Sequence, residues 1–587
     1  MSNKQSELAE YNENMTKKFK DKIINGELQI QNSRQLTNLE FLKDFQIQKL
    51  KLIDCHNIIP ILTNNSLKEM FIQYSDLQNI DWFQLENLEV LDVSGNKELK
   101  IQSIQKFKYL KQLDISSTNH VDISYLQLSQ LKILNLRNNN IKDISQLSKL
   151  VNLVELDLSF NEIIDINPLQ FLKQLRILKL SKCNLQSIKE LELLTNLAEL
   201  YVSYNENVDL SSLKYLANLK KLSIQNSNTN NIDVIHSLNK LEDLVISYNS
   251  IIDINVLKYL PNLTNLDLSN TKVQNIHLLF QLEHLQEIDL SLNPHIDYQP
   301  LQKMSQLQRL IMCSNNLKNI SFLDGLTNLK YLNLSNNDNL DITLLQYLIN
   351  LTSLNISNCN ICDIYSLRTL VNLEVLEMSF NNLNNIQHLQ NFVKLIDLSI
   401  NFNIIKDISV LTQLKCLKSL WLSNNKGVNI APLQYLTQLT YLVLNTCNLY
   451  EISSLRPLVN LEYLDLSQNN IFNFYPIREL DANVYVEDNL IIESSDYFMY
   501  FEVQDKSQFI NQQPTKEQVL LARKMKIIDT TTTCLREINT QRKYYQFLKY
   551  KTKDTIVSLL QKQHNIILSL SNKAVQLFRF DEQQLYQ

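Results

Sequence analysis

A repeat of 22 residues constrains this chain more than any other feature of its sequence. Leucines recur at that interval without a slip from Leu131 to Leu461, and the repeat beginning at Leu263 reads Leu-x-x-Leu-x-Leu. A fixed period of this length predicts short coils that stack and share one core, because no single coil can bury its apolar face alone. The 587 residues therefore do not imply about four separate globular domains, as length alone would suggest.

Each repeat contains two kinds of apolar spacing. In the repeat that starts at Leu351, apolar Leu354 and Ile356 alternate with polar residues, which predicts a half-buried strand. Apolar residues then recur at helical spacing from Ile361 to Leu370 and predict a return segment that packs on the core. In this register the third, fifth and seventh residues of a repeat are expected to project outward from the strand.

The repeated phrase resembles a known family. Residues 151–172, VNLVELDLSFNEIIDINPLQFL, are similar to the 22-residue leucine-rich repeat of the SDS22-like phosphatase regulators and the internalins. This resemblance implies an α/β solenoid, a curved right-handed array with a parallel β-sheet on its concave face that binds proteins. It also implies that recurrent asparagines such as Asn161 and Asn205 lie inside and bond to the backbone of adjacent loops.

The regularity of the repeats divides the chain into three parts. We predict a polar, helical lead-in over residues 1–27, a solenoid of about twenty repeats with caps over residues 28–494, and a basic α-helical region over residues 495–587. The last region begins near a capping-box sequence, Thr515 to Gln518, and carries 14 Lys and Arg against 8 Asp and Glu between residues 502 and 587. Three arrangements of its helices follow: a packed cap or tail, self-association, or a position against an acidic sheet. The apolar spacing also suggests a coiled coil, but Lys524, Gln541 and Thr552 break the heptads.

The outward positions of the strands are predominantly acidic. Thirteen acids oppose six bases at these positions, which favours a basic protein partner through electrostatic steering. The alternative is a solvated face without a partner. The acids proposed for binding are Glu155, Asp157, Glu199, Asp243, Asp267, Glu287, Asp289, Glu377 and Asp397.

Aromatic residues also occupy outward positions. Trp421, Tyr441 and Tyr463 fall in successive repeats, with Phe402 one repeat earlier at the edge of its strand. Neighbouring exposed Trp and Tyr side chains are typical of a binding hot spot, and the alternative is cross-strand packing that stiffens the sheet. Tyr201 and Tyr331 are more isolated members of the same predicted protein-binding face.

The remaining composition excludes several classes of function. Four glycines leave no glycine-rich phosphate loop, the eight histidines are scattered, and a net charge of −5 argues against a nucleic-acid partner. We expect no enzyme activity, no cofactor and no metal, and we interpret Cys359 and Cys362 as two separate thiols. The sequence shows neither a secretory signal nor a membrane-spanning segment, and its thiols favour the cytoplasm.

These observations predict a non-catalytic scaffold that binds a protein on the concave face of a repeat solenoid. Two narrower alternatives follow from the resemblance: a regulatory subunit of a protein phosphatase, and a secreted or surface adhesin like the internalins.

Overall fold

The computed structural model describes residues 2–33, 36, 38–56, 62–471 and 473–489. It divides into two compact units, residues 1–311 and residues 312–587, which we call the N-terminal unit and the C-terminal unit. The helical region predicted for residues 495–587 lies outside the described residues, and so does its predicted self-association.

The N-terminal unit begins with an α-helix over Ser2–Lys20 and continues as a parallel sheet. Fourteen strands pair in chain order among its described residues: Glu27–Gln31, Lys49–Ile53, Glu69–Gln73, Val90–Asp92, Gln112–Asp114, Ile133–Asn135, Glu155–Asp157, Ile177–Lys179, Glu199–Tyr201, Lys221–Ser223, Asp243–Val245, Asn265–Asp267, Glu287–Asp289 and Arg309–Ile311. Two shorter strands, Leu62–Thr63 and Phe83–Gln84, form a separate pair. Eleven 3₁₀ segments carry the chain back between strands: Glu40–Asp44, Gln102–Lys106, Ile123–Tyr125, Ser145–Lys149, Asn167–Phe171, Lys189–Leu193, Ser211–Tyr215, Asp233–Ser237, Asn255–Tyr259, His277–Gln281 and Gln299–Lys303.

The C-terminal unit repeats the same alternation of strand and 3₁₀ segment. Its described strands are Tyr331–Asn333, Ser353–Asn355, Val375–Glu377, Asp397–Ser399, Ser419–Trp421, Tyr441–Val443, Tyr463–Asp465 and Asn483–Tyr485. Its described 3₁₀ segments are Ser321–Leu323, Thr343–Tyr347, Tyr365–Thr369, Gln387–Asn391, Ser409–Gln413, Ala431–Tyr435, Ser453–Leu455 and Tyr475–Ile477. The parallel solenoid predicted from the 22-residue period is therefore confirmed.

The constant period sets the register of the sheet. Leu156 pairs with Leu178, and Leu178 pairs with Leu200, so that identical positions of successive repeats lie side by side. All three leucines are fully buried, while the residues that flank them in each strand are half-buried. The core is thus a column of leucine and isoleucine that runs through the repeats of each unit.

Buried asparagines hold adjacent coils together. Asn205 donates from Nδ2 to the carbonyls of Leu180 and Val202, at 2.9 and 2.8 Å, and its Oδ1 accepts the backbone N–H groups of Cys183 and Leu185. One side chain therefore satisfies buried backbone groups of two consecutive repeats, as expected from the sequence. Where cysteine takes this position, as at Cys183, the thiol donates to the carbonyl of Leu158 at 3.1 Å.

The seventh position corrects one expectation in part of the repeats. We predicted that it projects outward, and Arg137 is exposed there, but Ser159, Ser203 and Ser247 at this position are buried. The strands are only three residues long in these repeats, so the alternation of inward and outward side chains ends at the fifth residue. The chain turns there, and the seventh residue enters the turn.

The N-terminal helix covers the first repeat. Phe19 is buried, and its ring lies 5.8 Å from that of Phe41, while Met15 is buried on the same helix. In the described part of the chain, no helix has the length and apolar character needed to cross a membrane.

Candidate protein-binding face

The third and fifth residues of a repeat are the first and last residues of its strand wherever that strand is three residues long. In the five-residue strands Lys49–Ile53 and Glu69–Gln73 they are the first and third residues. We call the surface formed by these side chains the sheet face. All of the predicted site residues except Phe402 lie on the sheet face. Side chains at these positions lie on the opposite side of each strand from the buried central leucine.

Lysines neutralise part of the acidic charge on the N-terminal unit. Lys179 lies 3.0 Å from Glu155, and Lys221 lies 4.0 Å from Glu199, each across one strand spacing. Two further pairs join Lys49 to Glu69 and Lys51 to Glu27. A count of acids alone therefore overstates the negative potential of this unit.

Aspartates at the fifth position take part in the turns. The carboxylates of Asp157, Asp267 and Asp289 each accept the backbone N–H of the serine two residues later, at 2.8 Å. Such Asx turns satisfy the second N–H beyond the strand, while the first donates to the backbone of the next strand, as Leu158 does to Lys179. These three residues consequently have a structural role that sequence patterning alone did not separate from binding.

Two other predicted acids of this unit lie at the third position. Asp243 pairs with Asn265 along the sheet, and Asn265 pairs with Glu287. Burial raises the pKa of Asp243, while the neighbouring Lys221 opposes the rise.

The two more isolated tyrosines of the prediction, Tyr201 and Tyr331, lie on strands of different units. Tyr201 donates from its hydroxyl to Glu199 Oε2 at 2.8 Å, and burial raises its pKa above the usual range. Tyr331 is the first residue of its strand in the C-terminal unit and pairs with Ser353 of the next strand.

Four aromatic side chains form a continuous stack on the sheet face of the C-terminal unit. Trp421 lies 4.7 Å from Tyr441, Tyr441 lies 4.3 Å from Tyr463, and Tyr463 lies 5.1 Å from Tyr485, measured between ring centroids. The rings of Tyr441 and Tyr463 are nearly parallel, at 5°. We call these four residues the aromatic ladder. Each is half-buried, so one surface of the ladder remains open to a partner.

Tyr485 was missing from the predicted site. Residues 483–492 fall within the predicted solenoid and its caps, but none of them was assigned to an outward position of the sheet. The final repeat is two residues shorter, so Tyr463 pairs with Asn483 and Asp465 pairs with Tyr485. The alternation around Val484 is the signal that could have placed Tyr485 on the sheet face.

Phe402 lies beyond its strand and not on the ladder. Its ring stacks on that of Phe380, with centroids 4.2 Å apart, and both rings are about half exposed. Both residues have positive φ, 58° for Phe380 and 52° for Phe402, where the neighbouring repeats carry Asn358 and Asn424. A bulky side chain is uncommon in this backbone conformation, so the fold itself does not favour phenylalanine at these positions.

The described residues also bear on the expectation of separate thiols and no metal site. They contain no group of three or more His, Cys, Asp or Glu side chains placed to hold a metal ion. Cys359 is buried and Cys362 is exposed, and both are free thiols.

Comparison with known proteins agrees with this architecture. The family described as leucine-rich repeats (2 copies) matches residues 129–170. The chain is a leucine-rich repeat solenoid. The structure of TLR13 in its complex with ssRNA13 is 20% identical over 81% of this chain and 88% of that chain, with a TM-score of 0.51, and it supports the fold alone.

Bacterial leucine-rich repeat proteins are also similar. An internalin, InlF of Listeria monocytogenes, is 27% identical over 59% of this chain and 84% of its own, with a TM-score of 0.35. A leucine-rich repeat protein of Leptospira interrogans is 22% identical over 65% of this chain and 97% of its own, with a TM-score of 0.46. No curated protein matches the sequence.

Proposed function

We propose that this leucine-rich repeat protein is a non-catalytic scaffold, and that a protein partner contacts the aromatic ladder of its C-terminal unit. The observation that carries the proposal is the stack of Trp421, Tyr441, Tyr463 and Tyr485 on four consecutive strands. The buried leucines between them already supply the core, so the outward rings are not needed to fill it. Rigid, partly exposed Trp and Tyr side chains are the residues that most often dominate binding energy at protein interfaces.

The stacked phenylalanines extend the same exposed aromatic surface. The backbone N–H of Phe402 donates to the carbonyl of Ser423 at 2.8 Å, two residues beyond Trp421. Phe380 and Phe402 keep about half of their surface exposed although their backbone conformation disfavours large side chains. An exposed, conformationally costly aromatic pair beside the ladder supports a role in binding.

Proximity labelling in native cells tests this proposal. The full-length chain is compared with a variant carrying Trp421→Ala, Tyr441→Ala and Tyr463→Ala, followed by affinity measurement with each enriched protein. We expect the affinity for a true partner to fall by more than about tenfold, since each lost hot-spot residue typically costs more than about 1 kcal/mol. A matched control replaces Tyr347 and Tyr435, two exposed tyrosines of 3₁₀ segments in the same unit, by Ala.

If the ladder variant captures the same proteins with unchanged affinity, the proposed binding site is wrong. A lower melting temperature than that of its control would then show that the stack stiffens the sheet instead.

Partner identity also tests the narrower roles. A phosphatase catalytic subunit among the ladder-dependent proteins would support a regulatory subunit, whereas recovery of the chain outside the cell would support an adhesin.

We propose the cytoplasm as its location, because Cys55, Cys183, Cys359 and Cys447 are buried, unpaired thiols at equivalent positions of their repeats.

A further inference from the structure

The described strands of the C-terminal unit place no positive side chain on the sheet face. Among its described strands, from Tyr331–Asn333 to Asn483–Tyr485, no first or last residue is Lys or Arg. The N-terminal unit differs, since Lys179 and Lys221 on its strands each reach a glutamate on an adjacent strand. The C-terminal face is therefore acidic and aromatic without internal compensation.

Two acids on this face lack a cationic partner in the described part of the chain. Glu377 accepts a hydrogen bond from Asn355 Nδ2 at 2.5 Å, and Asp397 lies opposite Ser419 in the register of the sheet. No Lys, Arg or His nitrogen of a described residue lies within ion-pair distance of either carboxylate. Burial raises the pKa of both groups, and repulsion by Asp397 adds to the rise at Glu377.

The acid pair lies next to the aromatic ladder. Asp397 pairs with Ser419, and Ser399 pairs with Trp421, so the two features occupy adjacent strands. Both lysine and arginine lie over aromatic rings in this chain, and arginine comes closer: the ammonium groups over Phe71 and Tyr215 are 5.2 and 5.0 Å from the ring centroids. Arginine guanidinium groups lie 4.1, 3.9 and 3.6 Å from the ring centroids of Phe160, Tyr365 and Tyr475, respectively. The described residues place no cation over a ladder ring.

Resting on the proposed function, we infer that the partner presents an extended segment with two cationic side chains, at least one of them arginine. One guanidinium stacks on Trp421 and Tyr441, and the second cation pairs with Glu377 and Asp397. The midpoint between the strands of Glu377 and Asp397 lies two strand spacings, roughly 10 Å, from the midpoint between the strands of Trp421 and Tyr441. An extended chain covers this distance in about three residues, so the two cations are two or three positions apart in the partner.

Fluorescence anisotropy with defined peptides tests this inference on the full-length chain. The probes are two nine-residue labelled peptides, Gly-Ser-Arg-Ser-Arg-Ser-Arg-Ser-Gly and the same sequence with lysine in place of arginine. Their charges are equal, so electrostatic attraction alone cannot separate them. We expect the arginine peptide to bind at least about fivefold more tightly, because a planar guanidinium stacks on aromatic faces better than an ammonium does.

Variants assign the two contacts separately. Glu377→Gln with Asp397→Asn keeps side-chain size and is expected to weaken both peptides at least about tenfold. Trp421→Leu with Tyr441→Leu is expected to remove the preference for arginine. Asp243→Asn with Glu287→Gln on the N-terminal unit is the matched control and should leave both affinities unchanged.

The two proposals can fail independently. The basic-segment inference is wrong if both peptides bind with the same affinity to the wild type and to the Glu377/Asp397 variant. It is also wrong if the control variant loses as much affinity as the Glu377/Asp397 variant does. Ladder-dependent capture of a protein would then still uphold the proposed function, since that experiment does not depend on the partner's charge.

Discussion

At the scale of single residues, the buried asparagine of each repeat is the most informative position. Asn425 donates to the carbonyls of Ile400 and Leu422, at 2.9 and 3.0 Å, and accepts the N–H of Ile405 at 3.0 Å. Asn425→Ala leaves these buried groups without partners, which costs about 3 kcal/mol of local stability. We expect amide exchange at Ile405 to accelerate about 100-fold, as measured by hydrogen–deuterium exchange.

Cysteine at the same position provides an internal comparison. Cys447 takes the place of the asparagine one repeat later, and its thiol donates to the carbonyl of Leu422 at 3.3 Å. Asn425→Cys should therefore be less damaging than Asn425→Ala, while Gln438→Ala at an exposed position should have no effect. Equal exchange rates for the Ala and Cys variants would show that shape, and not hydrogen bonding, decides which residues fit.

The roles of individual acids could not be predicted from the repeat period. The register placed Asp157 and Glu155 on the sheet face, because alternation depends only on a strand with one buried side. Whether an acid binds a turn N–H, as Asp157 does, or a lysine, as Glu155 does, depends on contacts made one strand or one turn away. The sequence therefore predicted which acids lie on the sheet face, but not which of them are available to contact a partner.

At the scale of elements, the N-terminal helix covers the apolar end of the first coil. Phe19 is 3% exposed and packs on Phe41, so the helix shields the first coil from water. Phe19→Ala removes this contact at a cost of about 3–5 kcal/mol. We expect faster amide exchange in Glu27–Gln31 and Lys49–Ile53, with no change in distant repeats such as Asp243–Val245, because each coil is stabilised by its neighbours alone.

The control for the helix is Lys20→Ala, which alters an exposed residue of the same helix. If Phe19→Ala and Lys20→Ala give the same exchange pattern, the first coil is stable without its cover.

The repeat period predicts three of the four residues of the aromatic ladder but not the fourth. Trp421, Tyr441 and Tyr463 were placed together by counting, since the 22-residue period is constant up to Leu461. The last repeat breaks the period, so counting no longer applies at Tyr485. Phe402 lies beside the ladder and not on it, because its strand ends three residues earlier and its backbone turns into the left-handed region.

At the scale of the whole molecule, buried thiols report the unfolding of each part of the array. Burial raises the pKa of Cys183 in the N-terminal unit to about 12 and that of Cys447 in the C-terminal unit to about 11. Only the thiolate reacts with alkylating reagents, so these cysteines are expected to react after local unfolding, whereas exposed Cys362 and Cys416 react in the folded protein.

Pulsed alkylation across a urea series, with each site quantified by mass spectrometry, measures the order of unfolding. Solenoid stability is a sum of repeat and neighbour contributions, so separate regions can open at different denaturant concentrations. Cys55 lies among the early repeats of irregular length, whereas Cys183 is held by Asn205 in a regular stretch. We expect the labelling midpoint of Cys55 to lie roughly 0.5 M urea below that of Cys183, the shift that about 1 kcal/mol produces at a typical urea dependence. Coincident midpoints for Cys55, Cys183 and Cys447 would instead show one cooperative transition, in which the neighbour contacts outweigh every difference among the repeats.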